Sequence, residues 1–95
     1  MNLKERHEMV CRALTDICIK KNTDYGNSFG DTYRELGIIS AVTRISDKVN
    51  RLKSLCTRPE SERRVADESI RDTLLDAANY CILTILEMDN ETTNK

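Results

Sequence analysis

Between Gly37 and Pro59 the chain places Ile38, Val42, Ile45, Val49, Leu52 and Cys56 at alternating steps of four and three. A strand sends every second side chain to the same face and cannot use this pattern. A helix of 3.6 residues per turn gathers all six on one stripe. The run therefore predicts a long amphipathic helix over 38–56 with a single apolar seam. Thr57-Arg58-Pro59-Glu60-Ser61-Glu62 ends it, because proline excludes the residue before it from helical geometry and its neighbours are polar. A seam this long needs an apolar partner, so the chain has to build a helical bundle.

The flanking segments supply the other helices. Asn2 with Glu5 three residues on is a capping-box pattern, and Leu3, Val10, Leu14 and Ile17 follow at helical steps, which predicts a first helix over about 3–21. Asn22, Thr23 and Asp24, with glycines at 26 and 30, favour turns and predict a loop over 22–37. Inside that loop Asp31 is a candidate cap for a short helical turn through Leu36, stopped by Gly37. Asp67 is a candidate cap for the last helix, over about 67–88. Its apolar stripe runs through Ile70, Leu74, Ala77, Cys81, Ile85 and Met88. A second stripe at Leu75, Ala78, Ile82 and Leu86 widens its apolar arc, so this helix is expected at the centre, and residues 90–95 as a frayed polar tail. The expected architecture is one all-α domain, a compact bundle of three long helices plus a short helical turn.

Ninety-five residues bury only roughly 60–65% of the surface of the unfolded chain, so the core is thin and self-association into a homo-oligomer is expected to complete it. The composition, 39% hydrophobic and 33% charged, suits helices with heavily charged outer faces. Fifteen basic and 16 acidic residues leave a net charge of −1, which offers no global field for duplex nucleic acid or an anionic membrane. Met1 to Glu8 lacks an apolar signal-peptide core, and no run is long and apolar enough to span a bilayer, so a cytoplasmic protein is expected. The cysteines at 11, 18, 56 and 81 form no C-x-x-C pair. They read as buried, reduced thiols, and His7 reads as solvent exposed.

Two stretches carry the chemistry. Lys21 to Gly30 holds a cation, a carboxylate (Asp24), a hydroxyl (Ser28) and two rings, Tyr25 and Phe29, in a chain with only four aromatic residues. Such rings either stack on a base or plug the end of a small bundle. Arg44, Asp47, Lys48 and Arg51 then form a polar edge beside the apolar seam, either a solvated face with an Asp47–Arg51 pair or part of a phosphate site. On the last helix Asp72, Asp76 and Asn79 share a face, with Glu68 one turn earlier and Tyr80 one turn after Asp76. Two like charges one turn apart are destabilising unless a cation lies between them. Lys48 or Arg51 from the facing helix, or a divalent metal, can fill that place.

These segments, Lys21-x-x-Asp24-Tyr25-Gly26-x-Ser28-Phe29, Arg44-x-x-Asp47-Lys48-x-x-Arg51-Leu52-x-x-Leu55 and Asp72-x-x-x-Asp76-x-x-Asn79-Tyr80, resemble the nucleotide modification associated domain family over residues 20–86. These small, often phage-encoded proteins are related to the MazG-like all-α nucleoside triphosphate pyrophosphatases. The resemblance implies a MazG-like bundle and a nucleotide ligand. In the MazG-like hydrolases two acidic motifs on successive helices bind Mg²⁺. Here the first motif falls on Ser46, Asp47, Val49 and Asn50 and keeps one acid, while the second keeps Asp76 with its partner displaced to Asp72.

Fewer acids and more cations favour direct phosphate binding over a metal. One expectation is therefore capture of a phosphorylated nucleotide without turnover and without a cofactor, for example a cyclic oligonucleotide or ADP-ribose derivative serving as a messenger in anti-phage defence. In this reading Lys21, Arg44, Lys48 and Arg51 hold phosphates, Tyr25 and Phe29 stack on bases, and Ser28, Asn79 and Tyr80 complete the site, with Asp24 or Asp76 reading an amino or ribose hydroxyl group. The alternative is a Mg²⁺-dependent nucleoside triphosphate pyrophosphatase, with Asp47, Asp72 and Asp76 as metal ligands and Asp76 as the residue whose loss abolishes turnover.

Overall fold

The computed structural model describes residues 1–93, without the side chains of Tyr25, Arg63, Arg64 and Thr93. Helices α1 (Leu3–Tyr25), α2 (Ser28–Leu36), α3 (Ile38–Cys56) and α4 (Arg63–Thr93) follow one another, with a 3₁₀ turn at Glu60–Glu62 before α4. No strand occurs among the described residues, so the protein is all-α.

Helix α3 has the bounds its periodicity predicts, and the others are longer than expected. The Asn2 side chain accepts a hydrogen bond from the Glu5 N–H at 2.8 Å and caps α1 as anticipated. The helix then continues through Asn22, Thr23 and Asp24, with the Thr23 hydroxyl donating back to the Ile19 carbonyl at 3.0 Å. It stops only at Gly26, whose φ of +72° no other residue type adopts easily. Asp67 lies inside α4 rather than capping it, and α4 runs on past Met88 to Thr93, so the expected tail from residue 90 is helical as far as it is described. Residues 94 and 95 lie outside the described chain.

The largest difference is the predicted loop over 22–37, most of which is helix α2. Polar and glycine-rich composition argued for a loop, but Phe29 and Tyr33 stand one turn apart on a buried face of α2, and this burial outweighs the weak local preference. Asp31 does not cap that helix; its carboxylate pairs with Arg34 one turn on. At Gly37, φ +79°, α2 ends and α3 begins with no intervening residue. The Gly37 N–H closes α2 on the Tyr33 carbonyl at 2.7 Å, and its own carbonyl accepts from the Ser40 N–H at 3.1 Å.

Helices α3 and α4 form an antiparallel hairpin, as Lys48 meets Asp76 while Leu55 and Ala66 share a hollow nearer the turn. This is the most extensive packing in the molecule. Helix α2 lies across both, α1 touches α4 more sparsely, and α4 is the central helix. The core consists of Phe29, Tyr33 and Ala41 with Tyr80 and Leu83 against them. The buried hydroxyls of Thr73 and Thr84 are satisfied by the carbonyls of Ser69 and Tyr80, each at 2.6 Å. Toward α4, α3 turns Ala41, Lys48 and Leu55; of its predicted seam Ile45 and Leu52 are partly buried beside them, and Ile38, Val42 and Val49 remain about half exposed. Cys11, Cys56 and Cys81 are exposed and Cys18 is half-buried, which corrects the expectation of buried thiols; all four are free. His7 is exposed as expected, with Nδ1 3.5 Å from the Cys11 sulfur. No helix among the described residues is long and apolar enough to cross a membrane.

Candidate functional site

The end of α1, the start of α2 and the facing sides of α3 and α4 enclose a cavity of about 240 Å³. It gathers eight of the residues singled out from sequence: Lys21, Ser28, Phe29, Arg44, Lys48, Asp76, Asn79 and Tyr80. The local sequence explains the convergence. Gly26 breaks the chain direction one helical turn after Lys21, and Ser28 and Phe29 then open α2 beside that lysine. Arg44 and Lys48 are four apart on α3, as are Asp76 and Tyr80 on α4, so each pair projects from one face.

Electrostatically the cavity is cationic. Lys21 Nζ lies 3.1 Å from Asp76 Oδ1, and Lys48 Nζ lies 3.4 Å from Asp76 Oδ2, so a single carboxylate sits between two ammonium groups from different helices. Of the cations expected to answer the acids on α4, Lys48, joined by Lys21, meets Asp76, and Arg51 does not. Arg44 adds a third positive charge, so the lining holds three cations against one carboxylate. The first turn of α2 also borders the cavity, and its N-cap residue Asn27 makes no side-chain capping bond. The backbone amides at this end carry the positive pole of the helix.

The two rings form the apolar wall. Phe29 and Tyr80 stack with centroids 5.8 Å apart and planes 17° apart. Arg44 covers the Phe29 ring at 5.4 Å, and Lys48 Nζ lies over the Tyr80 ring at 5.9 Å. This cation–ring–ring–cation layer holds both cations in place at modest entropic cost. Arg44 is further fixed by a hydrogen bond to Thr32 Oγ1 at 3.4 Å. Phe29 is only 8% exposed, with Tyr80 and Arg44 against its ring, so it acts as a plug and is not free to stack on a base. The Tyr25 side chain lies outside the described residues.

The remaining candidates are placed elsewhere. Arg51 lines a separate hollow near the α3–α4 turn, with Leu55, Arg58 and Glu62. Asp24 is exposed and is not part of the cavity lining. Asp47 is exposed, and no ion pair joins it to Arg51 among the described residues. Asp72 is exposed and borders a neighbouring cleft between α1 and α4, with Lys21 and Asp76. Asp72 and Asp76 thus border one cleft, and Asp47 lines neither that cleft nor the cavity. No group of three His, Cys, Asp or Glu side chains able to hold a metal occurs among the described residues, and the oxygens of Asp76 already face two lysines.

Sequence reasoning missed Asn22, Asn27, Cys18 and Leu83 in the lining. Asn27 carried a legible signal, an Asx residue directly before a helix, which the expectation of a loop obscured. Gly30 also has a role that sequence did not show. A Cβ there would lie 2.6 Å from Asn27 Nδ2 and 2.7 Å from Glu87 Oε1, so the missing side chain lets Asn27 fold back beside the site. Beyond Gly30, Glu87 pairs with Arg34 at 3.7 Å, and the Tyr33 hydroxyl donates to Glu91 Oε2 at 3.3 Å. Burial, followed by the charge of Glu91 and this hydrogen bond, pushes the Tyr33 phenol above its ordinary value of 10.0.

A family model described as Nucleotide modification associated domain 1 matches residues 21–88, which contain every residue of this cavity except Cys18. No curated protein and no solved structure matches the chain.

Proposed function

The chain belongs to the nucleotide modification associated domain 1 family, and from that premise together with the cavity's charge we propose that the protein binds a phosphorylated nucleotide directly, through its own cations and without turnover. The observation that carries this reading is the excess of cations around Asp76: Lys21, Lys48 and Arg44 converge at the N-terminal end of α2. A phosphate entering there replaces the Asp76 carboxylate as partner of the two ammonium groups and gains charge-assisted hydrogen bonds from Arg44 and the α2 amides. Ser28, Asn22, Asn27 and Asn79 supply neutral donors and acceptors for the sugar or base edge. A cavity of about 240 Å³ is slightly below the ~300 Å³ at which small-molecule sites begin, which suits the phosphate-bearing part of a nucleotide with the remainder extending into solvent.

The test is calorimetric titration of the full chain, with EDTA present, against mono-, di- and triphosphates, cyclic oligonucleotides and ADP-ribose derivatives. Binding that survives EDTA, leaves the ligand intact and weakens about tenfold or more in Lys48→Ala supports capture, a loss of ~1.4 kcal/mol or more. Binding that requires Mg²⁺ and releases pyrophosphate would replace it with the hydrolytic reading. Absence of binding across the panel would remove both.

A further inference from the structure

The α3–α4 hairpin is covered on one side only. On α3 the residues turned toward α4 are Ala41, Lys48 and Leu55, and on α4 those turned toward α3 are Ala66, Thr73 and Tyr80. At 100° per residue, the stripe from Ile38 to Leu52 lies about 90° round α3 from its packed face, and the stripe from Ile70 to Met88 lies about 90° round α4 in the same rotational sense. Because the two helices are antiparallel, equal rotations bring both stripes to the same side of the hairpin. The opposite side carries α1, α2 and the cationic cavity.

The uncovered side is mainly apolar, with the exposed Asp67 one turn before Ile70 on the α4 stripe. Its twelve stripe positions, six on each helix, contain no charged residue. Ile38, Val42 and Val49 on α3 and Leu74, Ile85 and Met88 on α4 are between 41% and 55% exposed. The chain as a whole shows the consequence. Its accessible surface is 7387 Å², against about 5,600 Å² for a folded monomer of its mass, 10.9 kDa. Its radius of gyration is 15.5 Å, against about 12 Å for a compact domain of this length.

We propose that this face is the interface of a homodimer, in which the α3–α4 hairpins of two copies pack seam to seam as a four-helix bundle. Three arguments select a second copy as the occupant. The excess surface of the chain, about 1,800 Å², is shared between this face and the sparsely packed α1, and is more than twice the ~800 Å² each partner gives to a standard interface. Two antiparallel stripes side by side are self-complementary under a twofold axis. A four-step, three-step seam on both helices is also the pattern of bundle cores. The dimer leaves the two cationic cavities open on its outer faces, each built from one chain.

Sedimentation velocity of the full chain, from about 1 to about 100 µM, tests this. The expected species has twice the mass of the chain. Val49→Glu or Ile85→Glu, at half-exposed positions and with helicity confirmed by circular dichroism, should raise the dissociation constant about 100-fold or more. Val10→Glu, on the exposed part of α1, should leave it unchanged. In the dimer Cys81 lies within the interface and should alkylate at least about tenfold more slowly than Cys11, with the two rates converging in the Val49→Glu variant. A chain that stays monomeric over this range overturns the proposal. So does equal reactivity of Cys81 and Cys11 in the unsubstituted protein, or a dimer lost with Val10→Glu but kept with the seam variants.

Discussion

The two sides of the α3–α4 hairpin are built on opposite principles. On the side facing α1 and α2, charged side chains are drawn in among aromatic rings: Lys48, Asp76 and Arg44 lie partly buried against Phe29 and Tyr80. On the other side the most regular apolar stripes in the sequence are about half open to solvent in the single chain. The contrast shows that apolar periodicity locates a helix and its sticky face, not which neighbour meets that face. It also shows that polar residues placed next to such a stripe can end up inside the fold when they answer one another's charge. The strongest hydrophobic signal in this chain marks the face proposed for association, and the residues that look like a solvated edge line the candidate site.

The sharpest way to break this comparison is to remove one large side chain from each side. Phe29→Ala takes away a ring buried among Tyr33, Ala41 and Tyr80 and leaves a void behind the cations. The loss is expected at about 3–5 kcal/mol, read as a shift in the urea midpoint. It should also weaken ligand binding, because Arg44 loses the ring that positions it. Val42→Ala removes less surface from a half-exposed position. In the dissociated chain it should cost well under ~1 kcal/mol, with a larger effect only at concentrations where the chain associates. Equal costs for the two substitutions in dilute protein would mean that the open face is packed within a single chain.

How much of this was legible beforehand differs between the sides for a physical reason. The bounds of α3, the capping of α1 by Asn2 and the centrality of α4 follow from local periodicity and short-range hydrogen bonds, which sequence displays directly. Residues Lys21, Arg44, Lys48, Asp76 and Tyr80 were identifiable as candidates because cations at helical spacing on one helix could answer the like-charged acids on another, although the same spacing also fits a solvated face. What could not be read is the rotation of α3. Its packed face carries Arg44 and Lys48 between Ala41 and Leu55, and the two cations look like a solvated edge until the rings of Phe29 and Tyr80 are placed beneath them. The helicity of α2 was hidden for the same reason, since its stability comes from burying Phe29 and Tyr33 and not from intrinsic propensity.

A smaller effect probes the charge balance on the site side. Asp76 neutralises part of the field of Lys21 and Lys48, and a phosphate must compete with it for both ammonium groups. Asp76→Asn keeps the shape and removes the competing charge. Direct capture predicts that phosphate-bearing ligands bind about three- to tenfold more tightly, a gain of ~1 kcal/mol or somewhat less. The increase should shrink with added salt, because Lys21 is half exposed and its field is screened. A hydrolytic site that depends on Asp76 predicts the opposite, loss of turnover. The same substitution thus separates the two readings by sign.

The smallest expected effect concerns the far end of the covered side, where Tyr33 donates to Glu91 with Glu87 nearby. Its phenol is held above the ordinary value of 10.0, so between that pH and its folded value the native state keeps a proton that the unfolded chain releases. Stability from this group is complete below pH 10 and is lost as pH rises through the folded value, because the native state then binds more protons than the unfolded one. Thermal unfolding followed by circular dichroism should therefore show a midpoint that falls more steeply above pH 10 in the unsubstituted protein than in Tyr33→Phe. The two proteins should differ by a nearly constant offset below pH 9. Parallel alkaline slopes would mean that Tyr33 titrates normally, and that the proton held between α2 and α4 contributes nothing to keeping the covered side closed.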